Sequence, residues 1–161
     1  MASWLEKITV ALNGLPAHET VRDIEWIVPA VQTIHILAVG LVFSASMLMV
    51  LRTLGVAGTH WSIMRWHRRL GPWTAFALVL LLLTGAVMIL AEPERELLNG
   101  LFQIKMPLVL VATVLSFWLG GSFKPSDANR PAALGAKLGV IIILLMWAAA
   151  MCLGRWIAYA G

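Results

Sequence analysis

Four long apolar runs, separated by short polar segments, make up most of the chain. They cover residues 28–51, 73–90, 102–119 and 134–158. Each run is close to the roughly 20 apolar residues that a helix needs to cross a bilayer, and connections this short join antiparallel neighbours. The pattern predicts an all-α polytopic membrane protein in which residues 26–161 form an antiparallel four-helix transmembrane bundle. Small residues, among them Gly135 and Gly139, are expected where the helices pack.

The first 25 residues form a separate segment with a different pattern. Apolar side chains recur there at helical spacing, at Trp4, Leu5, Ile8 and Leu12. This spacing predicts a short amphipathic helix over residues 3–14 that lies in the membrane interface. Residues 17–25 are polar and are expected outside the bilayer.

The composition agrees with a membrane location and excludes several other classes of protein. Hydrophobic residues make up 60% of the chain and charged residues 12%, whereas about a quarter of a soluble domain is charged. Cys152 is the single cysteine, so an internal disulfide and any multi-cysteine metal site are excluded. No predicted span contains Asp or Glu, which argues against a carboxylate-based ion pump.

The charged residues divide unequally between the two ends of the predicted bundle. One end carries seven basic residues against one acidic residue, a net charge of +6: Arg52, Arg65, Arg68, Arg69, Lys124, Arg130 and Lys137 against Asp127. The other end, with both termini, carries five basic and seven acidic residues, a net charge of −2. By the positive-inside rule the basic end is cytoplasmic. We therefore expect a bacterial inner-membrane protein with both termini on the outer side, bound to lipid and not to nucleic acid.

A single histidine, His35, lies inside a predicted span. Ionisable side chains within the bilayer are costly, and such a residue is by default a candidate functional site. Gln32 precedes His35 by one helical turn, and Val39, Val42 and Ser46 continue the same helical face. This face is expected to point into the bundle, where Lys105 enters at a similar depth from the third span.

An imidazole in an apolar bundle is a common axial ligand of haem. In this interpretation His35 ligates the iron of a b-type haem, and Gln32 and Lys105 help to hold the cofactor. A second axial ligand would come from Met88, Met106, Met151 or a folded-back His18, or the iron would stay five-coordinate. The protein would then transfer electrons or serve as the membrane subunit of an oxidoreductase.

Three other interpretations of His35 remain open. The simplest is a buried histidine that hydrogen-bonds to a neighbouring helix. In the second, His35, His18 and nearby methionines bind copper, since imidazole and thioether ligands suit that metal. In the third, the chain is a structural or pigment-packing subunit of a larger membrane complex. His60 and His67 belong to a predicted loop at the basic end, residues 58–72, and are expected to rest with it on anionic lipid.

Three short motifs resemble a family of small bacterial four-span membrane proteins of unknown function. They are W-x-x-P-x-x-Q-x-x-H from Trp26 to His35, L-R-T-L-G from Leu51 to Gly55, and F-Q-I-K from Phe102 to Lys105. The similarity covers about residues 20–120 and implies the same four-span fold. Val50 stands where that family carries an acidic residue, so the resemblance implies no role for a carboxylate there.

The layout more distantly resembles HemJ-type protoporphyrinogen oxidases and CopD-type copper-resistance membrane proteins. These share a histidine in an early span, an R-R-L entry to the next span and a lysine that opens a later one. Here the R-R-L entry is residues 68–70. The resemblance implies that His35 is the haem-associated histidine and that Lys105 is the matching lysine. Leu101 stands where the oxidases carry an arginine, so the resemblance does not extend to porphyrinogen oxidation.

Overall fold

The computed structural model describes residues 3–123 and 131–157, and this part of the chain is helical with no β-strand. The elements in chain order are α1 (Trp4–Asn13), α2 (Pro16–Asp23), α3 (Ile27–Leu54), α4 (Ile63–Ala91), α5 (Pro93–Leu97), α6 (Gly100–Ser122) and α7 (Leu134–Ile157). Four of them, α3, α4, α6 and α7, are long and apolar enough to cross a membrane. The predicted all-α four-helix fold is confirmed.

The four long helices pack around a small apolar centre. Helix α3 lies between α4 and α7, and α6 packs on α7, whereas α4 and α6 approach each other less closely. The centre is formed by Val42, Ala77, Ala112, Ile143 and Trp147, which are all buried. Small side chains here let the helix backbones approach, and the large Trp147 indole fills the space that they leave.

The two ends of the bundle differ in what covers them. The terminal end, where α3 and α6 begin and α4 and α7 end, carries α1, α2 and α5. The basic end carries the segment between α3 and α4, residues 55–62. Three charged residues assigned to this end from the sequence, Lys124, Asp127 and Arg130, lie outside the described residues, as does the predicted end of the last span at Ala158.

The N-terminal segment folds into two helices. Helix α1 begins with a capping box, in which Ser3 Oγ accepts from the Glu6 N–H at 3.3 Å and the Glu6 carboxylate accepts from the Ser3 N–H. This pairing satisfies backbone donors that a helix start leaves open. Helix α2 begins at Pro16, where a proline costs no hydrogen bond. The polar segment expected after α1 is thus also helical.

Helix α4 begins ten residues earlier than the apolar pattern predicts. The sequence predicts a loop over residues 58–72 that ends at Gly71-Pro72, but residues 63–72 are helical and Pro72 lies inside α4. Ser62 starts the helix by accepting from the Arg65 N–H at 3.2 Å. A proline within a helix removes one backbone hydrogen bond, and the surrounding packing tolerates that loss here. The predicted loop is therefore wrong over residues 63–72.

The segment at the basic end is ordered by Trp61 and Trp66. The Arg52 guanidinium is buried and donates to the Trp61 carbonyl at 2.6 Å. The guanidinium carbons of Arg65 and Arg69 lie 5.7 and 5.3 Å from the centroid of the Trp61 ring, within range of cation–π attraction. Trp66 Nε1 donates to the Gly58 carbonyl at 3.1 Å. These contacts tie the turn between α3 and α4 to the start of α4.

Candidate functional site

His35 on α3 makes a hydrogen bond to Thr84 on α4. The distance from His35 Nδ1 to Thr84 Oγ1 is 2.7 Å, and Thr84 Oγ1 also lies 2.7 Å from the Leu80 carbonyl oxygen. A carbonyl can only accept, so the single hydroxyl hydrogen of Thr84 goes to Leu80. His35 Nδ1 therefore carries a hydrogen and donates it to Thr84, which leaves the lone pair on Nε2 available for a ligand.

The terminal half of the bundle also places Lys105 near His35. Lys105 is half-buried on α6. Its side chain lies against Gly154 on α7, since a Cβ added at Gly154 would be 3.2 Å from Lys105 Nζ. The ammonium is close enough to His35 for an electrostatic interaction. The three helices α3, α6 and α7 thus bring an imidazole and a cation to one side of the bundle, as the sequence predicts.

Glu96 is a buried carboxylate that sequence analysis missed. It lies on the short helix α5, is 8% exposed, and interacts electrostatically with Lys105. Burial raises the pKa of the Glu96 carboxyl above its ordinary value of 4.5, Lys105 and Arg95 oppose the rise, and Glu92 adds to it. From the sequence alone, residues 91–100 are expected to form an acidic loop. Only the fold shows that one of its three glutamates turns inward beside Lys105.

We expect the stability of the protein to depend on pH through Glu96. The native state holds this proton to a higher pH than the unfolded chain does, so the free energy of unfolding falls as the pH rises from about 4.5 through the raised pKa. Glu96→Gln should remove that fall, and replacement of the exposed Glu25 by glutamine should keep it. Unfolding in mixed detergent micelles at several pH values measures both, and an unchanged slope in Glu96→Gln would contradict the assignment.

Gln32 does not share the buried face of α3. It is exposed, whereas Ala38, Val42 and Ala45 are buried and define the face that packs on the bundle. At 3.6 residues per turn Gln32 lies about 120° around the helix from Ala38, and His35 lies about 60° from it. The prediction that Gln32 points inward beside His35 is therefore wrong, because the packed face follows the small alanines and not the polar residues.

The three candidate methionines occupy different surroundings. Met88 is half-buried one turn after Thr84 on α4, so it lies on the same helical face as the partner of His35. Met151 is 40% exposed on α7. Met106 is 46% exposed on α6, so of the three thioethers only that of Met88 is half-buried on the helical face that carries Thr84.

His18 is held against the terminal end of the bundle. It is 8% exposed, and its Nδ1 donates to the Leu90 carbonyl oxygen near the end of α4 at 2.7 Å. His18 therefore packs on the bundle and does not lie in a solvated loop. Leu90, the partner of His18, is six residues beyond Thr84, the partner of His35. The two hydrogen-bonding positions are therefore about 9 Å apart along α4.

The histidines expected at the basic end separate into two environments. His60 is exposed and packs edge-on against Trp61, with ring centroids 5.6 Å apart. His67 lies within α4, is half-buried, and packs its ring over the backbone of Gly120 on α6. The prediction that His67 rests in a lipid-facing loop is wrong, since α4 begins before it.

His35 presents one nitrogen lone pair, which is the kind of donor that an axial haem ligand supplies. Nδ1–H donation to a neighbour is the usual arrangement of a metal-bound imidazole, and Lys105 supplies a cation that could pair with a propionate. Within residues 3–123 and 131–157, no three His, Cys, Asp or Glu side chains are grouped to hold a metal. Comparison of the chain with protein-family models, curated proteins and solved structures finds no match.

Proposed function

We propose that the protein is an integral membrane b-type haem protein that transfers electrons or forms the membrane subunit of an oxidoreductase. One observation carries the proposal. His35 donates through Nδ1 to Thr84, and its Nε2 lone pair is left for a ligand inside an apolar bundle. Ligand histidines are held in this way, because the hydrogen bond sets both the tautomer and the ring orientation.

Each residue of the site has a separate role in this proposal. His35 Nε2 would ligate the iron, Thr84 orients the imidazole, and the Lys105 ammonium would pair with a propionate. Met88 is the candidate second ligand. Glu96 offsets part of the Lys105 charge, so the half-buried cation is not left without a counter-charge. The bound haem would supply one-electron oxidation and reduction.

The distribution of charge supports a location and an orientation for the protein. The excess of arginine and lysine at the basic end supports a bacterial inner membrane with that end in the cytoplasm. His35 and Lys105 would then lie in the outer half of the membrane. A redox partner would meet the protein at the terminal end, where α1, α2 and α5 cover the bundle.

The test is a dithionite-reduced minus oxidised spectrum of detergent-purified protein from its native host, with a pyridine haemochromogen assay. We expect a b-type difference spectrum in proportion to the protein. Absence of haem absorbance from the native preparation would overturn the proposal. If haem is absent and the protein remains in a larger assembly that tolerates His35→Ala, a structural subunit would be the better description.

A further inference from the structure

Three arginine side chains surround Trp61 at the basic end of the bundle. The Arg52 guanidinium donates from Nε to the Trp61 carbonyl at 2.6 Å. The guanidinium carbons of Arg65 and Arg69 lie 5.7 and 5.3 Å from the centroid of the Trp61 ring. One half-buried tryptophan thus brings together cations from the end of α3 and from the first two turns of α4. These three side chains are called the arginine cluster below.

Arg52 is the buried member of the arginine cluster. It is 9% exposed, and within residues 3–123 and 131–157 its side chain makes one hydrogen bond, from Nε to the Trp61 carbonyl. A guanidinium has five N–H donors, so four remain for another acceptor. Burial of a cation is costly unless the cation is paired. The open donors of Arg52 therefore favour an acceptor that the described residues do not supply.

The open donors of Arg52 can be reached from outside the protein. Among the described residues, the buried side-chain nitrogen and oxygen atoms that lack a partner are Thr53 Oγ1 and Trp147 Nε1. The terminal nitrogens of Arg52 have no partner there and do not belong to this buried set, so they touch the protein surface. Arg65 and Arg69 are exposed. A ligand can therefore approach all three members of the arginine cluster.

Little negative charge is available within the chain to balance the arginine cluster. No Asp or Glu occurs between residues 26 and 91, and Asp127 is the single acidic residue that the sequence assigns to this end. One carboxylate cannot neutralise three guanidinium groups. Arg65 and Arg69 are also four residues apart on one helix, where like charges repel each other. The arginine cluster therefore carries a net positive charge.

The position of the arginine cluster at the start of α4 adds to this unfavourable charge. Helix α4 begins at Ile63, and Arg65 lies in its first turn. The N-terminus of a helix carries a positive partial charge, which favours anions there and disfavours cations. A bound anion would offset both the charge of the arginines and the charge of the helix end.

A phosphate group is the anion that suits this arrangement. The planar guanidinium matches the spacing of phosphate oxygens and can bind two of them at once. The arginine cluster lies just beyond the ends of two spans, since α3 ends at Leu54 and α4 begins at Ile63. Tryptophan rings such as that of Trp61 settle at the level of the lipid headgroups. The phosphates found at that level are those of membrane lipids.

We propose that the arginine cluster binds the phosphate of an anionic phospholipid in the leaflet at the basic end. The free N–H groups of Arg52 donate to the phosphate oxygens, Arg65 and Arg69 bind it from α4, and Trp61 positions all three guanidinium groups. This site does not depend on whether His35 holds a haem. It differs from the contact expected from the sequence, because three arginines and not the histidines bind the lipid.

Native mass spectrometry of the detergent-solubilised protein tests the site by counting single bound lipids. We expect phosphatidylglycerol to bind about tenfold more tightly than the zwitterionic phosphatidylcholine. Arg69→Gln should weaken phosphatidylglycerol binding about tenfold, as expected when a hydrogen bond between charged groups is lost. Arg68→Gln is the matched control. Arg68 is the neighbouring exposed arginine and lies outside the ring contacts of Trp61, so its substitution should change the affinity less than about twofold.

Arg52→Lys tests the buried member of the arginine cluster. The substitution keeps the positive charge but replaces a planar group with five donors by a single ammonium. We expect about tenfold weaker binding of phosphatidylglycerol, in protein shown to be folded by gel filtration and circular dichroism. Wild-type affinity in folded Arg52→Lys would overturn the role of Arg52. If that variant does not fold, the comparison of Arg69→Gln with Arg68→Gln decides the proposal alone.

Three other results would overturn the proposal. Equal losses in Arg68→Gln and Arg69→Gln would show that the general charge of this end attracts lipid without a defined site. Equal affinities for phosphatidylglycerol and phosphatidylcholine would show that the site does not select an anionic lipid. Displacement of the bound lipid by millimolar inorganic phosphate would show that the site takes a soluble anion, whereas retention of the lipid supports the assignment.

Discussion

Replacing His35 by alanine is expected to reduce the haem content of the purified protein at least tenfold. The substitution removes the only side chain in the proposed site that offers an imidazole lone pair to iron, and Thr84 keeps its own hydrogen bond to Leu80. The helix should persist, because alanine has the highest helix propensity. The pyridine haemochromogen assay, normalised to protein, measures the loss.

Two further substitutions separate ligation from general damage to the site. Thr84→Val removes the acceptor of the His35 Nδ1–H with little change of shape, and we expect a 10-fold to 100-fold weaker retention of haem. Gln32→Ala changes an exposed side chain one turn from His35 and should leave the haem content at the wild-type level. A full complement of haem in folded His35→Ala would exclude His35 as the ligand, and a loss in Gln32→Ala would contradict its exposed position.

Gly58→Ala is expected to destabilise the basic end by about 2–5 kcal/mol. Gly58 has φ +67, a left-handed conformation that costs an L-residue about 1–2 kcal/mol. An added Cβ would also lie 2.6 Å from Cζ2 of Trp66, and overpacking of this kind costs about 1–3 kcal/mol. Because the Gly58 carbonyl accepts from Trp66 Nε1, any movement of the ring also weakens that hydrogen bond.

Gly55→Ala is the matched control for this effect. Gly55 also has a left-handed backbone, with φ +80, but no atom lies within 4 Å of an added Cβ. Its substitution should cost only the conformational part, about 1–2 kcal/mol. Reversible unfolding in mixed micelles of a mild detergent and sodium dodecyl sulfate gives both values. Equal losses in the two variants would show that the Trp66 ring moves aside freely and does not order the turn.

The positions of the four long helices follow closely from the apolar pattern, but the length of α4 does not. Residues 63–72 are basic and aromatic and contain Gly71-Pro72, which together are typical of a loop. The helix continues because Ser62 caps it, and because Trp61 and Trp66 hold its first turns through contacts with Arg65, Arg69 and Gly58. Those contacts are between side chains and backbone groups within residues 58–69, so composition alone does not reveal them.

Two residues of the candidate site, His35 and Lys105, could be predicted from the sequence, but Thr84 could not. His35 and Lys105 are ionisable residues in apolar helices, which makes them conspicuous in the sequence. Both side chains are half-buried in the terminal half of the bundle. Thr84 gave little signal, because a threonine inside a span commonly bonds to its own helix. That Thr84 is the partner of His35 depends on how α3 packs against α4, which only the structure shows.

The sequence by itself determined the number of spans, their antiparallel order and the unequal charge at the two ends, because each depends on local composition and chain direction. The tertiary structure alone decided that Gln32 faces outward, that Glu96 and His18 are buried, and that His67 packs on Gly120 of α6. Those outcomes depend on the rotation of each helix about its axis and on the folding of short segments over the bundle ends. Helix rotation is set by the packing of small residues such as Ala38, Ala77 and Ala112 against neighbouring helices. That packing cannot be predicted from the hydropathy of the sequence.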